Sequence, residues 1–341
     1  MDAPLEQRAG AGDSEAQKAL AHQFAAAARH DLARGWYARA AKAGDVAALR
    51  LLGESLLSQT PLAIADGIGM IRDAAERGDA DALHLCAVLA AQDTQLATNL
   101  EVARDYLLRA AERGHDIASR QLRMLSDAPA AAPYAEHARR IDFARWLGPP
   151  PATNVFDDPR ISVITGFASA AECDWLIARG RGRLEPAQVY DPAGKGARIA
   201  SIRSNSAAAF NIVQSDLILG LLRARMARAT GLSTDAMEPA MLLHYRVGEE
   251  FAPHFDFVEA ADDIARNGQR VATVLIYLDE PDLGGETAFL DLGWRHRGAK
   301  GDALIFWNVE PGGAPDRRTR HAGLAPTHGE KWLLSQWIRG R

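Results

Sequence analysis

The pattern of hydrophobic and polar positions changes near residue 160 of this chain. Before this point, alanine-rich helical segments carry apolar faces that neighbouring helices must cover. After it, short runs rich in β-branched and aromatic residues are separated by turns such as "DLGG" and "THGE", a pattern typical of strands. The sequence therefore predicts a two-domain α+β protein with a helical N-terminal part and a β-rich C-terminal part.

Three helical units in the N-terminal part are repeats of one another. Their glycines, Gly44, Gly78 and Gly114, are 34 and 36 residues apart, and a weaker unit places Gly12 before them. The three units align without gaps as "WYARAAKAGDVAAL", "MIRDAAERGDADAL" and "YLLRAAERGHDIAS". Each predicts a helix that ends at a left-handed glycine, and stacked units bury their apolar faces in an α-solenoid. The motif resembles Sel1-like repeats, relatives of the tetratricopeptide family; an irregular helical bundle is the alternative.

Composition divides the chain into three ranges, with repeats in 1–126, a Pro- and Ala-rich linker in 127–158 and the β-rich domain in 159–341. That domain begins with the predicted strand "RISVIT" and the helix "SAAECDWLIARG", which carries a capping box of Ser169 and Glu172. A second predicted helix, "SDLILGLLRARMARATG", ends at Gly231. Seven short β-rich runs follow, and strands at this spacing predict a closed antiparallel sandwich or barrel.

Composition and charge narrow the class of protein. The chain has 341 residues, 48% hydrophobic and 24% charged, with a net charge of −5, so two globular domains are expected and nucleic-acid binding is not favoured. No apolar run is long enough to span a membrane, and the N-terminus lacks the pattern of a secretory signal. The two cysteines, Cys86 and Cys173, lie in unlike contexts, which favours a reducing compartment. We therefore expect a cytoplasmic protein.

The stretch "EEFAPHFDFVE", residues 249–259, places His254 and Asp256 two residues apart among aromatic residues. If this run is a strand, both side chains point to the same face and form either half of a metal site or a polar pair. His321, on a later predicted strand, offers a third ligand. Two imidazoles and one carboxylate form the facial triad of non-haem Fe(II) oxygenases, which leaves three positions for a bidentate 2-oxo acid and dioxygen.

Lys331 strengthens this metal-site interpretation. It lies ten residues after His321, on the next predicted strand. A cation deep inside a barrel needs an anionic partner, and the far carboxylate of 2-oxoglutarate would supply one. Tyr245 and Tyr277 could donate hydroxyl hydrogen bonds to this acid, as could Thr273, which shares a strand face with Tyr277.

The C-terminal part, from about Arg160 to Arg339, resembles the prolyl 4-hydroxylase family of Fe(II)/2-oxoglutarate dioxygenases. The segments that carry the resemblance are "LLHYRVGEEFAPHFDF", "NGQRVATVLIYLDEPDLGGETAFL", "KGDALIFWN" and "HAGLAPTHGEKWLLSQWIR". The resemblance implies a double-stranded β-helix, or jelly-roll, with flanking helices. It also implies iron on His254, Asp256 and His321, 2-oxoglutarate anchored by Lys331, dioxygen as the oxidant and ascorbate as the reductant.

The resemblance also implies residues that contact the substrate. Arg270 and Trp337 match positions near the peptide-binding face of the family, and Arg203 matches the strand that flanks the entrance. Two departures bear on a prolyl substrate. Phe251 stands where the family usually has tyrosine, and the segment "DRRTRH" before the distal histidine is more basic than usual.

Two hypotheses of function follow. The first is an enzyme, a 2-oxoglutarate-dependent dioxygenase that hydroxylates a side chain of a protein or peptide, proline first, with another residue or a small molecule as the alternative. The second is a repeat-protein adaptor or sensor that carries a catalytically silent barrel, because helical repeats present concave surfaces to partner proteins. In the first, the repeats could recruit the substrate; neither requires nucleic acid or a membrane.

Four other histidines are expected not to bind a metal. The alternation of side chains on a strand turns His244 away from the site, and His328 lies in the "PTHGE" turn. His296 is expected in a loop and His84 in the helical repeats.

Overall fold

The computed structural model describes residues 4–57, 61–92, 96–190, 197–198 and 202–340. The chain divides into two compact units, Met1–Asp142 and Phe143–Arg341. Within the described residues, no helix has the length and apolar character needed to cross a membrane.

The first unit is helical, and successive helices from the first to the eighth pack on each other in chain order. Its helices are α1 (Leu5–Gly10), α2 (Ser14–Ala26), α3 (His30–Lys42), α4 (Val46–Leu56), α5 (Pro61–Glu76), α6 (Ala80–Ala91), α7 (Leu96–Glu112), α8 (Asp116–Leu125) and α9 (Tyr134–Arg139). This packing confirms the predicted helical character of the N-terminal part.

In each repeat, a glycine ends one helix and the residue after it caps the N-terminus of the next helix. Gly12, Gly44, Gly78 and Gly114 all have positive φ, as the sequence predicts for residues that end a helix. The next residue in each case is the N-cap of the following helix, and its side chain accepts a hydrogen bond from the backbone N–H three residues later. These N-caps are Asp13, Asp45, Asp79 and His115.

The second unit contains short helices and many strands. Its helices are α10 (Phe143–Leu147), α11 (Ala170–Gly180), α12 (Leu217–Thr230) and α13 (Ala261–Asn267). Its strands are β1 (Thr153–Phe156), β2 (Ile161–Ile164), β3 (Glu185–Pro186), β4 (Val189–Tyr190), β5 (Ala197–Arg198), β6 (Ser206–Phe210), β7 (Ala240–Tyr245), β8 (Phe251–His254), β9 (Gln269–Asp279), β10 (Leu283–Gly284), β11 (Thr287–Phe289), β12 (Trp294–His296), β13 (Ala303–Trp307), β14 (His321–Gly323), β15 (Pro326–His328) and β16 (Lys331–Gly340).

Two antiparallel sheets make up most of this unit. The larger has the order β1-β2-β13-β9-β16-β7-β6-β3, and the smaller has the order β12-β11-β14-β8. One apolar cluster includes side chains of both sheets, among them Leu275, Phe306 and Leu333 of the larger and Phe289 of the smaller. The structure thus confirms a C-terminal antiparallel sheet domain.

The two helices predicted early in this domain are present with their predicted ends. Ser169 and Glu172 form both hydrogen bonds of the capping box at the start of α11. Gly231 follows α12 in the left-handed conformation. A buried ion pair between Arg225 and Glu172, 3.0 Å between nitrogen and oxygen, joins the two helices.

The range 127–158, interpreted from composition as a linker, includes regular secondary structure. It contains α9, α10 and β1, and the boundary between the two units falls inside it. Pro133 is the N-cap of α9, a position whose backbone N–H takes no part in the hydrogen bonds within the helix. Ala138, Ile141 and Leu147 are buried, so part of this range belongs to the core of each unit.

Candidate metal centre

Two neighbouring strands of the smaller sheet bring the candidate ligands together. β8 ends at His254 and β14 begins at His321, and these two residues are directly opposite each other in the antiparallel pair. Asp256 lies in a bend two residues beyond the end of β8. The expectation that one strand carries both His254 and Asp256 is therefore wrong in detail, because the strand stops before the aspartate and the bend turns its carboxylate toward the histidines.

The three side chains are close enough to bind one ion. The distance from His254 Nε2 to Asp256 Oδ1 is 3.6 Å, and the distance from His321 Nε2 to Asp256 Oδ2 is 3.7 Å. These separations fit ligands of a single ion, whose bonds to nitrogen and oxygen are about 2.0–2.2 Å long. Among the described residues, these three are the group of metal-ligating side chains that converges in this way.

Backbone carbonyls set the tautomer of both imidazoles. Nδ1 of His254 lies 2.9 Å from the carbonyl oxygen of Ala252, and Nδ1 of His321 lies 3.0 Å from that of Thr319. A carbonyl oxygen only accepts, so each Nδ1 carries the hydrogen and donates it. The lone pair of each Nε2 is then directed at the cluster, as a metal ligand requires.

The charge states also suit a divalent cation. Burial, together with the neighbouring His254, lowers the pKa of His321 to about 4. Burial alone would raise the pKa of Asp256, but the imidazoles of His321 and His254 hold it well below its usual range. Near neutral pH, His321 is therefore a neutral imidazole and Asp256 an ionised carboxylate, the forms that bind metals.

Asp256 is held from the side of the larger sheet. The hydroxyl of Thr273, in β9, donates to Asp256 Oδ2 over 2.8 Å. The side-chain amide of Asn308, just after β13, donates in turn to Thr273 Oγ1 over 3.0 Å. Thr273, predicted to contact 2-oxoglutarate, is therefore bonded to a candidate metal ligand, and Asn308 was not singled out from the sequence.

A stack of three side chains supports His254. The ring of Phe251 lies parallel to the imidazole, with 3.5 Å between ring centroids and 12° between planes. The guanidinium of Arg203 lies 4.5 Å from the centroid of the Phe251 ring. Arg203 is itself buried and donates to Asn205 Oδ1 and to the carbonyl of Gln188. The phenyl ring at position 251, where tyrosine was expected, needs no hydroxyl for this stacking.

Lys331 lies in the cavity that contains the three candidate ligands. It is fully buried, and its ammonium nitrogen has no hydrogen-bond partner among the described residues. The nitrogen is 5.1 Å from the centroid of the Tyr245 ring. Burial lowers the pKa of Lys331 to about 7, because removal from water disfavours the charged ammonium form. An anion placed here would satisfy it.

Of the two tyrosines predicted to donate hydrogen bonds to the cosubstrate, Tyr245 lines the cavity and Tyr277 is not among its described lining residues. Tyr245 lines the cavity, and burial raises its pKa to about 12, so its hydroxyl keeps its hydrogen. Tyr277 does not line the cavity within the described part of the chain; its hydroxyl donates to Thr287 over 2.9 Å. Thr287 and Ser335 do line it, although neither was singled out from the sequence. Period-two spacing from Lys331 along β16 is the signal that could have identified Ser335.

The residues expected to contact substrate form a second stack. The guanidinium of Arg270 lies 3.8 Å from the ring centroid of Trp337, and its nitrogens donate to Glu238 over 2.7 and 2.8 Å. Trp337 lines the cavity, whereas Arg270 lies behind the indole and forms an ion pair with Glu238.

The other histidines lie outside the candidate centre. His244 stacks on Trp332 with 4.0 Å between centroids, and His84 lies in α6. His328 is exposed beside Asp282, at the end of β15. His296 lies in strand β12 and stacks on Trp294, so its expected place in a loop is wrong.

The chain is similar in sequence to known oxygenases. The family described as the 2OG-Fe(II) oxygenase superfamily matches residues 240–339. Probable prolyl 4-hydroxylases 7 and 6 of Arabidopsis thaliana are 32% and 31% identical over 198 and 217 residues. These alignments cover 53% and 58% of this chain, which spans 62% of the length of the first relative and 75% of the second.

Two solved structures are partly similar to the chain. A viral collagen prolyl hydroxylase from Paramecium Bursaria Chlorella virus-1, solved with 2OG, is 27% identical with a TM-score of 0.43, covering 53% of this chain and 96% of its own. A Sel1 repeat protein from Oxalobacter formigenes is 21% identical with a TM-score of 0.31, covering 40% of this chain and 62% of its own.

Proposed function

This chain belongs to the prolyl 4-hydroxylase family of 2-oxoglutarate–Fe(II) oxygenases, and from that premise we propose that it is a dioxygenase that hydroxylates a proline side chain of a protein or peptide. One observation supports this proposal above the rest. The cavity that contains His254, Asp256 and His321 also contains the fully buried ammonium of Lys331, which has no hydrogen-bond partner in the described part of the chain. A metal ligand set and an anion receptor in one cavity are what a 2-oxo acid cosubstrate needs.

The residues present fit both bound groups. His254, Asp256 and His321 would hold Fe(II), and Lys331 would pair with the far carboxylate of 2-oxoglutarate. When bound, these groups supply the activation of dioxygen and the oxidative decarboxylation of the 2-oxo acid to succinate and carbon dioxide. The chain's own contribution is to orient the ligands, neutralise the carboxylate and exclude water.

Hydroxyl groups around Lys331 complete the proposed cosubstrate pocket. Tyr245, Thr287 and Ser335 line the same cavity and can donate hydrogen bonds to a carboxylate. Tyr277 acts on this pocket through Thr287, because its hydroxyl hydrogen is used in that contact and leaves the Thr287 hydrogen free for the ligand. Apolar side chains of the larger sheet, Leu243, Leu275 and Leu333, line the remaining walls and keep water out.

The finer architecture belongs to the same proposal. We propose that the two antiparallel sheets form the double-stranded β-helix, or jelly-roll, with α11 and α12 flanking it. The apolar cluster shared by both sheets supports this, because the inner faces of a sandwich pack on each other. The N-terminal helices would form the Sel1-like solenoid, supported by the recurrence of left-handed glycine and N-cap.

Trp337 is the proposed wall of the substrate site, with Arg270 behind it and Arg203 on the side of His254. An aromatic surface suits proline-rich segments, which dock in aromatic-lined grooves at low entropic cost. We further propose that ascorbate is the reductant and that the repeats recruit the protein substrate. We also propose a cytoplasmic location, which is supported by the free cysteines Cys86 and Cys173. A catalytically silent barrel is disfavoured, because a buried ammonium with no partner among the residues described here destabilises the fold unless a ligand pairs with it.

The test is coupled turnover with Fe(II), 2-oxoglutarate, ascorbate and poly(L-proline). We expect succinate and a peptide mass increase of one oxygen from the wild-type protein and neither from Asp256→Ala. Asp174→Ala is the matched control, because Asp174 is an exposed carboxylate that pairs with Lys300 away from the candidate centre. Wild-type succinate formation no greater than that of Asp256→Ala would contradict the proposed enzyme. Succinate formation with an unmodified peptide would retain the dioxygenase and exclude this substrate.

A further inference from the structure

Three buried side chains form a relay that ends on the candidate metal ligand Asp256. Asn308 and Thr273 are fully buried, and Asp256 is 4% exposed. Asn308 Nδ2 lies 3.0 Å from Thr273 Oγ1, which lies 2.8 Å from Asp256 Oδ2. No water needs to take part, because each group reaches the next directly.

The chemistry of the three groups gives the relay one direction. An amide nitrogen only donates, so Thr273 Oγ1 accepts from Asn308. An ionised carboxylate only accepts, so the single hydroxyl hydrogen of Thr273 goes to Asp256. That hydrogen is consequently not available to 2-oxoglutarate, which removes the role expected of Thr273 from the sequence.

Two members of the relay, Thr273 and Asn308, are fixed to the larger sheet by backbone contacts. Thr273 lies in the middle of β9 and is opposite Phe306 of β13. Asn308 follows that strand, donates its N–H to the carbonyl of Val271 and accepts from the N–H of Asp316, both over 2.9 Å. Asp256 has no strand of its own, because it lies in the bend after β8. The carboxylate therefore depends on side-chain contacts for its position.

We propose that Thr273 and Asn308 are positioning residues that hold the Asp256 carboxylate, across the gap between the two sheets, in the orientation that binds the metal. This inference rests on the proposed metal centre and extends it to two residues outside the ligand set. Hydrogen-bond partners of metal ligands fix the orientation of those ligands, and their loss typically weakens metal binding about 10–100-fold.

The test measures Mn²⁺ affinity of the full chain, by electron paramagnetic resonance of the free ion, without 2-oxoglutarate or turnover. Thr273→Val keeps the shape of the side chain and removes its hydroxyl, and we expect it to weaken Mn²⁺ binding roughly 10–100-fold. Thr273→Ser keeps the hydroxyl, and we expect an affinity close to that of the wild type. Thermal unfolding of each variant reports separately on the fold.

A double variant separates positioning from packing. Thr273→Val leaves the amide of Asn308 without its acceptor, which by itself destabilises a buried site. Thr273→Val combined with Asn308→Leu removes both polar groups, so we expect the melting temperature to recover relative to the single variant while Mn²⁺ binding stays weak. Recovery of Mn²⁺ affinity in the double variant would overturn the positioning role.

The remaining outcomes distinguish this inference from the metal centre itself. Wild-type protein that binds Mn²⁺ no better than Asp256→Ala would overturn both. Wild-type protein that binds Mn²⁺ in a manner dependent on Asp256, together with unchanged affinity in Thr273→Val, would overturn the relay and leave the metal centre standing.

Discussion

At the scale of single residues, the cavity is built around an unfavourable charge. Lys331 is 0% exposed, and its ammonium has no partner among the described residues. A buried ion without a counter-ion lowers the stability of the folded protein, and a bound carboxylate reverses that penalty. Relief of this penalty when the carboxylate binds therefore contributes to the binding free energy of the cosubstrate.

Replacing Lys331 with methionine should therefore separate stability from binding. We expect Lys331→Met to raise the free energy of unfolding of the ligand-free protein by about 1–4 kcal/mol. We expect it to weaken 2-oxoglutarate binding by about 3–5 kcal/mol, because the ligand carboxylate loses its partner. Chemical denaturation and a 2-oxoglutarate titration measure the two effects, and Lys300→Met, at a partly exposed lysine paired with Asp174, is the control.

The stability difference should also depend on pH, with a definite sign. The pKa of Lys331 is lowered to about 7 in the folded protein, so between that pH and the ordinary lysine range the unfolded chain binds more protons. Ligand-free wild-type stability therefore rises with pH across this window, so the stability gap to Lys331→Met is largest below the window, shrinks across it and is smallest above it. A gap that widened as the pH increased would contradict the burial of an unpaired ammonium.

At the scale of secondary-structure elements, close backbone approach decides where glycine is needed. α4 and α5 pack on each other at Gly53 and Gly67, where a Cβ on either residue would lie 2.7 or 2.6 Å from the carbonyl oxygen of the other. Gly69, two residues further along α5, is exposed and has no atom within 4 Å of that position. One helix thus contains two glycines with different reasons for being there.

Alanine at these two positions should have opposite effects. We expect Gly67→Ala to destabilise the protein by about 1–3 kcal/mol, because the helices must move apart. We expect Gly69→Ala to stabilise it by about 0.5–1 kcal/mol, because alanine favours a helix and nothing obstructs the methyl group. Thermal unfolding of both variants provides the comparison. Equal effects would show that the close contact of α4 with α5 does not limit the side chain at Gly67.

At the scale of the whole molecule, all the proposed chemistry lies in one of the two units. His254, Asp256, His321 and Lys331 belong to the unit Phe143–Arg341. The helix α9 packs on α7 and α8, so it belongs with the repeats. A truncation that leaves the core of both units intact should therefore be made immediately before Phe143 and not in the Pro-rich segment upstream.

A chain that begins at Phe143 should keep basal turnover and lose efficiency on a protein substrate. We expect its conversion of 2-oxoglutarate to succinate, alone and with a short proline peptide, to match that of the full chain. We expect a lower kcat/KM on a partner protein captured by the full chain, because the repeats raise the local concentration of that partner. Undiminished kcat/KM on the partner would exclude recruitment by the repeats.

Local signals in the sequence determined much of this protein. The repeat glycines, the N-caps that follow them and the capping box of α11 involve residues within a few positions of each other, so the chain specifies them without tertiary contacts. The predicted ligands His254, Asp256 and His321 and the predicted anchor Lys331 are also brought into one cavity. The sequence predicted them from polar side chains on neighbouring predicted strands, together with the resemblance to a known family.

Tertiary structure decided which groups actually meet. Thr273 and Tyr277 share a strand face of β9, yet Thr273 bonds to Asp256, after β8, and Tyr277 bonds to Thr287, in β11 of the other sheet. Asn308 reaches the site from a different strand, and Asp256 from a bend. Such contacts join residues that are far apart in sequence. Their geometry depends on the order and register of the strands in the sheets, which no single segment of the chain determines.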